Sequence, residues 1–114
     1  GIGSAIFVDG HLLPNTELGH LEVRGKEAEH RASDAVRRQK KLSWKRWGKR
    51  FTEVLNTYES LINPDLFIIG GGISSKFESY AEYLKIQTKI LPAELENLAG
   101  IIGAAMAAKE AELP

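Results

Sequence analysis

The stretch Asp65–Tyr80, "DLFIIGGGISSKFESY", contains the pattern that decides the fold of this chain. Residues 66–69 are an apolar run without alternation, which predicts a central strand buried on both faces. Three glycines follow directly, and Ser75 with Glu78 predicts a capping box for a helix after them. A buried strand, a glycine turn and a helix in succession favour an α/β domain.

The glycine turn itself is a candidate phosphate or nucleotide site, formed by Gly70, Gly71 and Gly72. Glycines let the backbone approach an anion, and a helix N-terminus supplies free N–H groups and a positive dipole end. The alternative is a tight turn without a ligand. The position of the three glycines between a strand and a helix favours the phosphate interpretation.

Two helices are predicted upstream of this stretch. In "SWKRWGKRFTEVLNTYESLINP", residues 43–64, the apolar side chains recur every three or four positions over five turns. Ser43 is the predicted N-cap, and Asn63-Pro64 ends the helix. The pattern from Lys26 to about Lys40 also predicts a helix.

The other segments complete a sheet and a last helix. "SAIFVDGHLLPN", residues 4–15, predicts two strands joined at Asp9-Gly10, a strong hairpin dipeptide. "HLEV", residues 20–23, can add a third strand, and "KIQTKIL", residues 85–91, a short one. The small-residue stretch 93–112 predicts a closing helix suited to close packing.

The composition limits the class of protein. The 114 residues are enough for one domain, and the absence of cysteine excludes disulfides and thiolate metal sites. No apolar run is long enough to span a bilayer, and no signal peptide opens the chain. We therefore expect a cytoplasmic protein without a membrane partner. Because the chain begins without Met, in a motif already under way, we expect a fragment of a larger protein.

Charge is distributed unevenly, although the formal net charge is zero. Residues 37–50, "RRQKKLSWKRWGKR", hold eight of the fifteen Lys and Arg and no acid, which leaves −8 for the rest. Such a run is often a solvated helix face, but it can also bind a polyanion in a salt-dependent way. Trp44 and Trp47 could stack on bases, although their place on the apolar stripe favours core packing.

The stretch "NTELGHLEV", residues 15–23, puts a carboxylate and an imidazole beside Gly19. Glu17 and His20 together can hold a sugar hydroxyl, which both donates and accepts. The residues alone favour a simpler alternative, a surface loop in contact with water. A zinc site using Glu17, His20 and His30 is a third alternative, but nothing in their spacing is distinctive.

Together, "GIGSA", "ELGH", "LFIIGGGIS" and "NLAGIIGAAMAA" resemble the C-terminal half of sugar kinases of the ROK family. The patterns "PNTELGHLEV", "KEAEHRAS" and "SWKRWGKR" resemble the branch of that family that uses polyphosphate. This resemblance implies a ribonuclease H-like or actin-like ATPase fold, a mixed sheet flanked by helices. Residues 1–114 would form the C-terminal domain of such a kinase.

The resemblance also implies roles for individual residues. Sugar hydroxyls would be bound by Glu17, His20 and Glu29. The donor phosphates would face Gly1 and Gly3, and the nucleotide or phosphate side would face Gly70, Gly71 and Gly72. A polyphosphate track of Lys40, Lys41, Lys45, Arg46, Lys49 and Arg50 depends on charge more than on a family motif. The zinc-binding cysteines of many ROK proteins are missing here, so we expect no metal held by this chain and no zinc.

The activity implied is transfer of a phosphoryl group from polyphosphate, or ATP, to glucose, with Mg²⁺ on the phosphates and a homodimer as the assembly. The family's catalytic aspartate lies in the N-terminal half, so no catalytic residue is expected here, and the isolated chain should be inactive. The main rival is a sugar-sensing ROK regulator. A second rival is a nucleic-acid-binding domain that uses residues 37–50, which we consider unlikely.

Overall fold

The computed structural model describes residues 2, 5–13, 16 and 18–93. Its strands are β1 (Ile6–Val8), β2 (His11–Leu13), β3 (Glu22–Val23), β4 (Lys26–Glu27), β5 (Leu66–Ile69) and β6 (Lys89–Pro92). Its α-helices are α1 (Ala28–Ala32), α2 (Asp34–Gln39), α3 (Trp44–Ile62) and α4 (Phe77–Tyr80). Short 3-10 helices span Leu18–His20, Gly72–Lys76 and Ala81–Tyr83. Apart from Ala93, the predicted closing helix lies outside the described residues.

Two tight hairpins form the N-terminal part. Strands β1 and β2 pair antiparallel around Asp9-Gly10, which confirms the predicted turn, with φ values of 52° and 78°. Strands β3 and β4 pair around Arg24-Gly25 with φ values of 53° and 79°. Positive φ at both central positions gives a turn whose twist matches that of the strands. The predicted third strand therefore pairs with β4 and does not extend the first hairpin.

The first hairpin carries apolar side chains that the described part of the chain leaves uncovered. Phe7, Val8, Leu12 and Leu13 are each about half exposed, from 46% to 59%. The register pairs Phe7 with Leu12 on one face of the hairpin and places Val8 and Leu13 on the other. Exposed apolar side chains gathered on one element in this way are typical of an interaction surface.

Helix α3 agrees with the prediction at both ends. The Ser43 hydroxyl accepts a hydrogen bond from the Arg46 N–H at 3.2 Å, and Asn63 ends the helix in the left-handed conformation. Its apolar stripe buries Trp47, Phe51, Val54, Leu55 and Tyr58. Capping at both ends and one buried face explain why this helix is the longest described.

The single helix predicted from Lys26 to Lys40 is wrong in detail. Lys26 and Glu27 belong to β4, and the helix is broken at Ser33, whose backbone is extended. The Ser33 hydroxyl accepts from the Val36 N–H at 3.2 Å and so caps a new helix, α2. Because serine competes with the helical backbone for hydrogen bonds, it starts a helix here and does not continue one.

The stretch after the buried strand also differs from the prediction. Strand β5 is confirmed and pairs parallel with β6, but Leu66, Phe67 and Ile68 are only half-buried. The predicted capping box is wrong, because α4 begins without a side-chain cap and the Ser75 hydroxyl donates to the Gly72 carbonyl at 2.9 Å. A 3-10 helix therefore precedes α4.

An aromatic cluster joins α3 to α4, formed by Trp44, Trp47, Phe51, Phe77 and Tyr80. Trp47 stacks on Phe51 with ring centroids 4.8 Å apart and meets Tyr80 edge-on at 4.8 Å. The Trp47 indole N–H donates to the Ala32 carbonyl at 3.0 Å, which confirms core packing for this residue.

The chain is an α/β protein with both antiparallel and parallel strand pairs. Within the described residues the strands form three separate two-stranded ladders and not one continuous mixed sheet. Among the helices of that same part, none is long and apolar enough to cross a membrane.

Candidate functional site

Two histidines and two glutamates gather at the second hairpin, and we call His20, Glu27, Glu29 and His30 the acid–imidazole cluster. The His20 Nδ1 atom lies 3.0 Å from Glu27 Oε1 and 3.7 Å from Glu29 Oε1. His30 Nδ1 lies 3.4 Å from Glu27 Oε2, and its Nε2 lies 3.9 Å from Glu29 Oε1. The side chains are a quarter to two-thirds exposed, so the cluster is open to a small polar molecule.

The β3–β4 hairpin brings this cluster together. His20 ends the 3-10 helix before β3, and Glu27 ends β4, so the Arg24-Gly25 turn returns one to the other. The Ala28 N–H donates to the Leu21 carbonyl at 2.7 Å and starts α1, which carries Glu29. The hairpin thereby brings His20 and Glu27, seven positions apart in the sequence, within hydrogen-bonding distance.

Gly19 is needed beside His20 because the backbone is crowded there. A Cβ atom at this position would clash with the Ile2 carbonyl oxygen, which is backbone and cannot easily move aside. The Tyr58 hydroxyl donates to the Leu18 carbonyl at 2.9 Å from α3, and burial raises the pKa of Tyr58 to about 12. The tyrosine thus stays a donor at any physiological pH and holds the turn that presents His20.

One carboxylate of α3 holds the segment that carries the cluster. Glu53 Oε2 accepts from Arg24 Nε at 2.8 Å and from Arg31 Nη2 at 2.9 Å. Arg24 precedes the cluster residues of β4 and α1, and Arg31 follows them. Both ends of this segment are therefore attached to the same oxygen atom.

The structure brings together two of the three predicted sugar-binding residues. His20 and Glu29 are in the cluster, whereas Glu17 lies outside the described residues, as do Gly1 and Gly3. Sequence reasoning missed Glu27, although it stands in the quoted motif "KEAEHRAS". The only local signal was Gly25, since two-residue hairpin turns favour glycine at their second position, and Arg24 before it is not a typical hairpin residue.

The cluster also contains groups of the kind that hold a divalent cation. Single ligand atoms of His20, Glu27 and Glu29 all lie within 4.8 Å of one another. This set differs from the zinc alternative of Glu17, His20 and His30. Imidazole and carboxylate ligands suit several metals, but the short His20–Glu27 distance is also that of an ordinary hydrogen bond.

The basic run is divided by the structure into a neutralised part and an open part. Asp34 pairs with Arg37 and with Arg38 at 2.9 Å, and the Arg37 guanidinium lies 4.1 Å from the centre of the Trp44 ring. Arg50 is half-buried and donates to the Arg31 carbonyl at 3.2 Å. Five cations are exposed, with no described carboxylate within 4 Å: Lys40, Lys41, Lys45, Arg46 and Lys49.

The glycine turn is exposed, as an anion site requires. Gly70, Gly71 and Gly72 all face solvent, and Gly71 has a φ of 77°, which a side chain would strain. The Ser74 hydroxyl donates to the Gly71 carbonyl at 2.7 Å. This geometry keeps the turn tight and leaves open space where a Cβ would stand at each of the three glycines.

Comparison with known proteins finds relatives that share one name. The chain is 52% identical to "Polyphosphate glucokinase" of Mycobacterium tuberculosis (strain CDC 1551 / Oshkosh) over 107 residues, 94% of this chain and 40% of that protein. It is 52% identical to the protein of the same name in Mycobacterium leprae (strain TN), covering 94% of this chain and 33% of that protein. No protein-family model matches the chain.

The structure has a matching solved relative. It is similar to the inorganic polyphosphate/ATP-glucomannokinase from Arthrobacter sp. strain KM, with a TM-score of 0.81 and 45% identity over 98% of this chain and 44% of that one. The chain thus spans less than half the length of the relatives it matches. The resemblance to polyphosphate-using sugar kinases is confirmed: nearly the whole chain is similar in sequence to part of polyphosphate glucokinases and in structure to part of a glucomannokinase.

Proposed function

We propose that the protein containing this chain transfers a phosphoryl group from inorganic polyphosphate, or from ATP, to the 6-hydroxyl of glucose. The observation that carries this proposal is the 52% identity to polyphosphate glucokinase over 94% of the chain. At that level of identity the residues of a binding site are usually retained. The sugar oxygen would attack the terminal phosphorus, the bond from phosphorus to the donor chain would break, and the hydroxyl proton would pass to a base.

The acid–imidazole cluster would hold the sugar. His20 and Glu29 lie 3.7 Å apart, so one hydroxyl can donate to the carboxylate while another contacts the imidazole. Glu17 is a third sugar ligand in this proposal, from the same motif as His20. The exposure of His20 and Glu29 to solvent supports this role, because a partly exposed carboxylate can still accept a hydrogen bond from a bound hydroxyl.

The donor would bind at the glycine turn and along the exposed cations. Gly1 and Gly3, with the exposed Gly70, Gly71 and Gly72, are the proposed phosphate positions, supported for the last three by their exposure and open surroundings. The five exposed cations are the proposed polyphosphate track. Arg50 is a weaker member, because the Arg31 carbonyl already engages its guanidinium.

We further propose that residues 1–114 form the C-terminal domain of this kinase, with an actin-like ATPase fold of the ribonuclease H type. The exposed apolar side chains of the first hairpin support this assignment, since the rest of such a protein would cover them. The catalytic base would lie in the N-terminal half, so the isolated chain should give no turnover. Mg²⁺ would arrive with the donor, because phosphate oxygens are ligands that this ion prefers. A homodimer in the cytoplasm completes the proposal.

The test is a glucose 6-phosphate assay on the full-length protein, with polyphosphate and ATP compared. The chain offers a matched pair of variants: Lys45→Gln/Lys49→Gln on the track and Lys85→Gln/Lys89→Gln away from it, each removing two exposed lysines four residues apart. We expect the track pair to raise the KM for polyphosphate about fivefold and to weaken its salt dependence. The track pair should change the KM for ATP less than twofold. The control pair should change the KM for either donor less than twofold.

Three outcomes would count against parts of the proposal. Equal effects of the two lysine pairs would remove the track, because they would indicate non-specific charge. Turnover by the isolated chain would show that its catalytic base is present. Glucose binding without phosphorylation by either donor would replace the kinase with a sugar sensor.

A further inference from the structure

The turn between α2 and α3, residues 40–43, ends the first of these helices in a defined hydrogen-bond pattern. The Leu42 N–H donates to the Arg37 carbonyl at 3.0 Å, and the Lys41 N–H donates to the Arg38 carbonyl at 3.3 Å. Bonds from the sixth residue to the first and from the fifth to the second form a Schellman motif. This motif requires a left-handed residue at its fifth position, and the φ of Lys41 is 51°.

Lysine is an unfavourable residue at such a position. In the left-handed conformation a Cβ atom crowds the following carbonyl oxygen, so helices that end in this motif usually have glycine there and sometimes asparagine. Helix α3 follows this preference, because it ends at Asn63 with a φ of 45°. The α2–α3 turn instead has Lys41, whose side chain is exposed. The conformation of the turn by itself therefore favours a different residue.

A second left-handed residue shows how a charged side chain can be useful in this conformation. Arg24 has a φ of 53° in the β3–β4 turn, and its guanidinium binds the Glu53 carboxylate at 2.8 Å. The acid nearest to Lys41 in the sequence is Asp34, and its carboxylate pairs with two arginines of α2 instead, each at 2.9 Å. We therefore look for the partner of Lys41 among ligands of the protein.

The charges around the turn indicate that this ligand is an anion. The other members of the proposed polyphosphate track lie on both sides of the turn: Lys40, Lys45, Arg46 and Lys49. Cations gathered in this way repel one another, and an anionic chain relieves the repulsion. The Arg37 guanidinium lies 4.1 Å from the centre of the Trp44 ring and so joins α2 to the start of α3 across the turn. A turn held at both sides presents Lys41 with less ordering left to do on binding.

We propose that Lys41 binds the polyphosphate chain, and that a lysine is kept at this left-handed position for its charge, at the expense of stability. The inference rests on the proposed polyphosphate track and adds a trade-off between stability and donor affinity at a single residue. Glycine, the residue that suits the turn best, should bind the donor less well. Lys41 contacts phosphate oxygens through its ammonium group in this assignment and takes no part in bond breaking.

The experiment uses the full-length protein with three substitutions at this position and one matched control. Lys41→Gly removes both the charge and the strain, Lys41→Ala removes the charge alone, and Lys41→Arg keeps both. The control is Asn63→Gly, which introduces glycine at a residue of the same conformation. Asn63 lies at the far end of α3, a helix about 27 Å long, and so is remote from the turn.

We expect Lys41→Gly to raise the melting temperature by about 1–3 °C, because glycine adopts the left-handed conformation without steric strain. Calorimetry without glucose should show that this variant binds inorganic polyphosphate about threefold more weakly than wild type. The slope of log affinity against log salt concentration should become shallower by roughly 0.7, as for the loss of one cation on a flexible polyanion.

The other variants separate charge from strain. Lys41→Ala should lose the same affinity without the gain in melting temperature, since its Cβ atom remains. Lys41→Arg should recover most of the affinity and the steeper salt slope. Asn63→Gly should leave both binding quantities as in wild type, whatever it does to the melting temperature.

Two results would overturn the proposal. Wild-type affinity and salt slope in Lys41→Gly would show that the charge does not contact the donor. A melting temperature that falls in Lys41→Gly as far as in Lys41→Ala would show that the left-handed lysine costs no stability. Failure of the proposed function would look different, because protein that binds polyphosphate through Lys41 but phosphorylates no glucose would refute the kinase and retain this contact.

Discussion

The aromatic cluster and the acid–imidazole cluster both adjoin helix α1, yet they differ in how far their side chains are exposed to solvent. Trp47 is 2% exposed and its only polar atom is already bonded to Ala32. In the acid–imidazole cluster, His20 and Glu29 remain open to solvent. If the cluster binds sugar as proposed, stability and binding depend on separate side chains, so substitutions should affect one property and spare the other.

The largest expected effect tests the buried half of this comparison. Trp47→Ala removes a fully buried ring that contacts Phe51 and Tyr80, and it should lower the free energy of unfolding by about 3–5 kcal/mol. Urea unfolding of the full-length protein measures this. Trp47→Phe is the control and should lose less, because it keeps a ring while removing the indole N–H. A loss below about 1 kcal/mol for Trp47→Ala would mean that this cluster does not carry the core.

The second-largest expected effect tests the exposed acid–imidazole cluster. Glu29→Gln keeps the size of the side chain and removes the charge that would accept a sugar hydroxyl, so we expect the KM for glucose to rise about 10- to 100-fold. The unfolding free energy should change by less than about 0.5 kcal/mol, since the side chain is not in the core. Glu78→Gln, an exposed glutamate on α4, serves as the control. A large loss of stability in Glu29→Gln would break the separation between the two clusters.

The smallest effect concerns a carboxylate that belongs to neither cluster. Hydrogen bonds from the Thr88 hydroxyl and then from the Thr88 N–H lower the pKa of Glu59 below its ordinary value of 4.5. A lowered folded pKa means that the carboxylate stabilises the protein above its unfolded pKa and loses this contribution as pH falls through the folded pKa. The stability difference between wild type and Glu59→Gln should therefore shrink on acidification below about pH 4.5.

Thr88→Val sharpens that measurement. It removes the hydroxyl donor and leaves the backbone N–H groups of residues 87 and 88 on Glu59. The acid sensitivity of its stability should lie between those of wild type and Glu59→Gln. A pH profile identical in all three proteins would exclude Glu59 as a source of acid lability.

The parts that sequence reasoning predicted well are those in which local signals agree. Helix α3 has an apolar stripe, a serine cap and an asparagine–proline end, and each is observed. The Asp9-Gly10 turn needs positive φ at both positions, which these two residues tolerate. Local chemistry and tertiary packing require the same conformation in both cases.

The errors occur where two local signals compete or where the partner is distant. Ser33 could continue a helix or cap a new one, and in the fold its backbone is extended and its hydroxyl accepts from the Val36 N–H. Ser75 could cap α4, but it donates to a carbonyl of its own turn instead. Glu27 contacts the His20 ring across a two-residue turn, so no helical periodicity could have indicated this contact.

The shared oxygen of Glu53 has a consequence for how the molecule opens. Arg24 and Arg31 enclose the residues of the β3–β4 turn, β4 and α1, and both guanidiniums bind this one atom of α3. Amide hydrogens of that segment should therefore exchange with solvent together with those of the middle of α3, as one cooperative unit. Replacing the carboxylate by an amide would divide this unit into two, and the segment that carries the acid–imidazole cluster would exchange first.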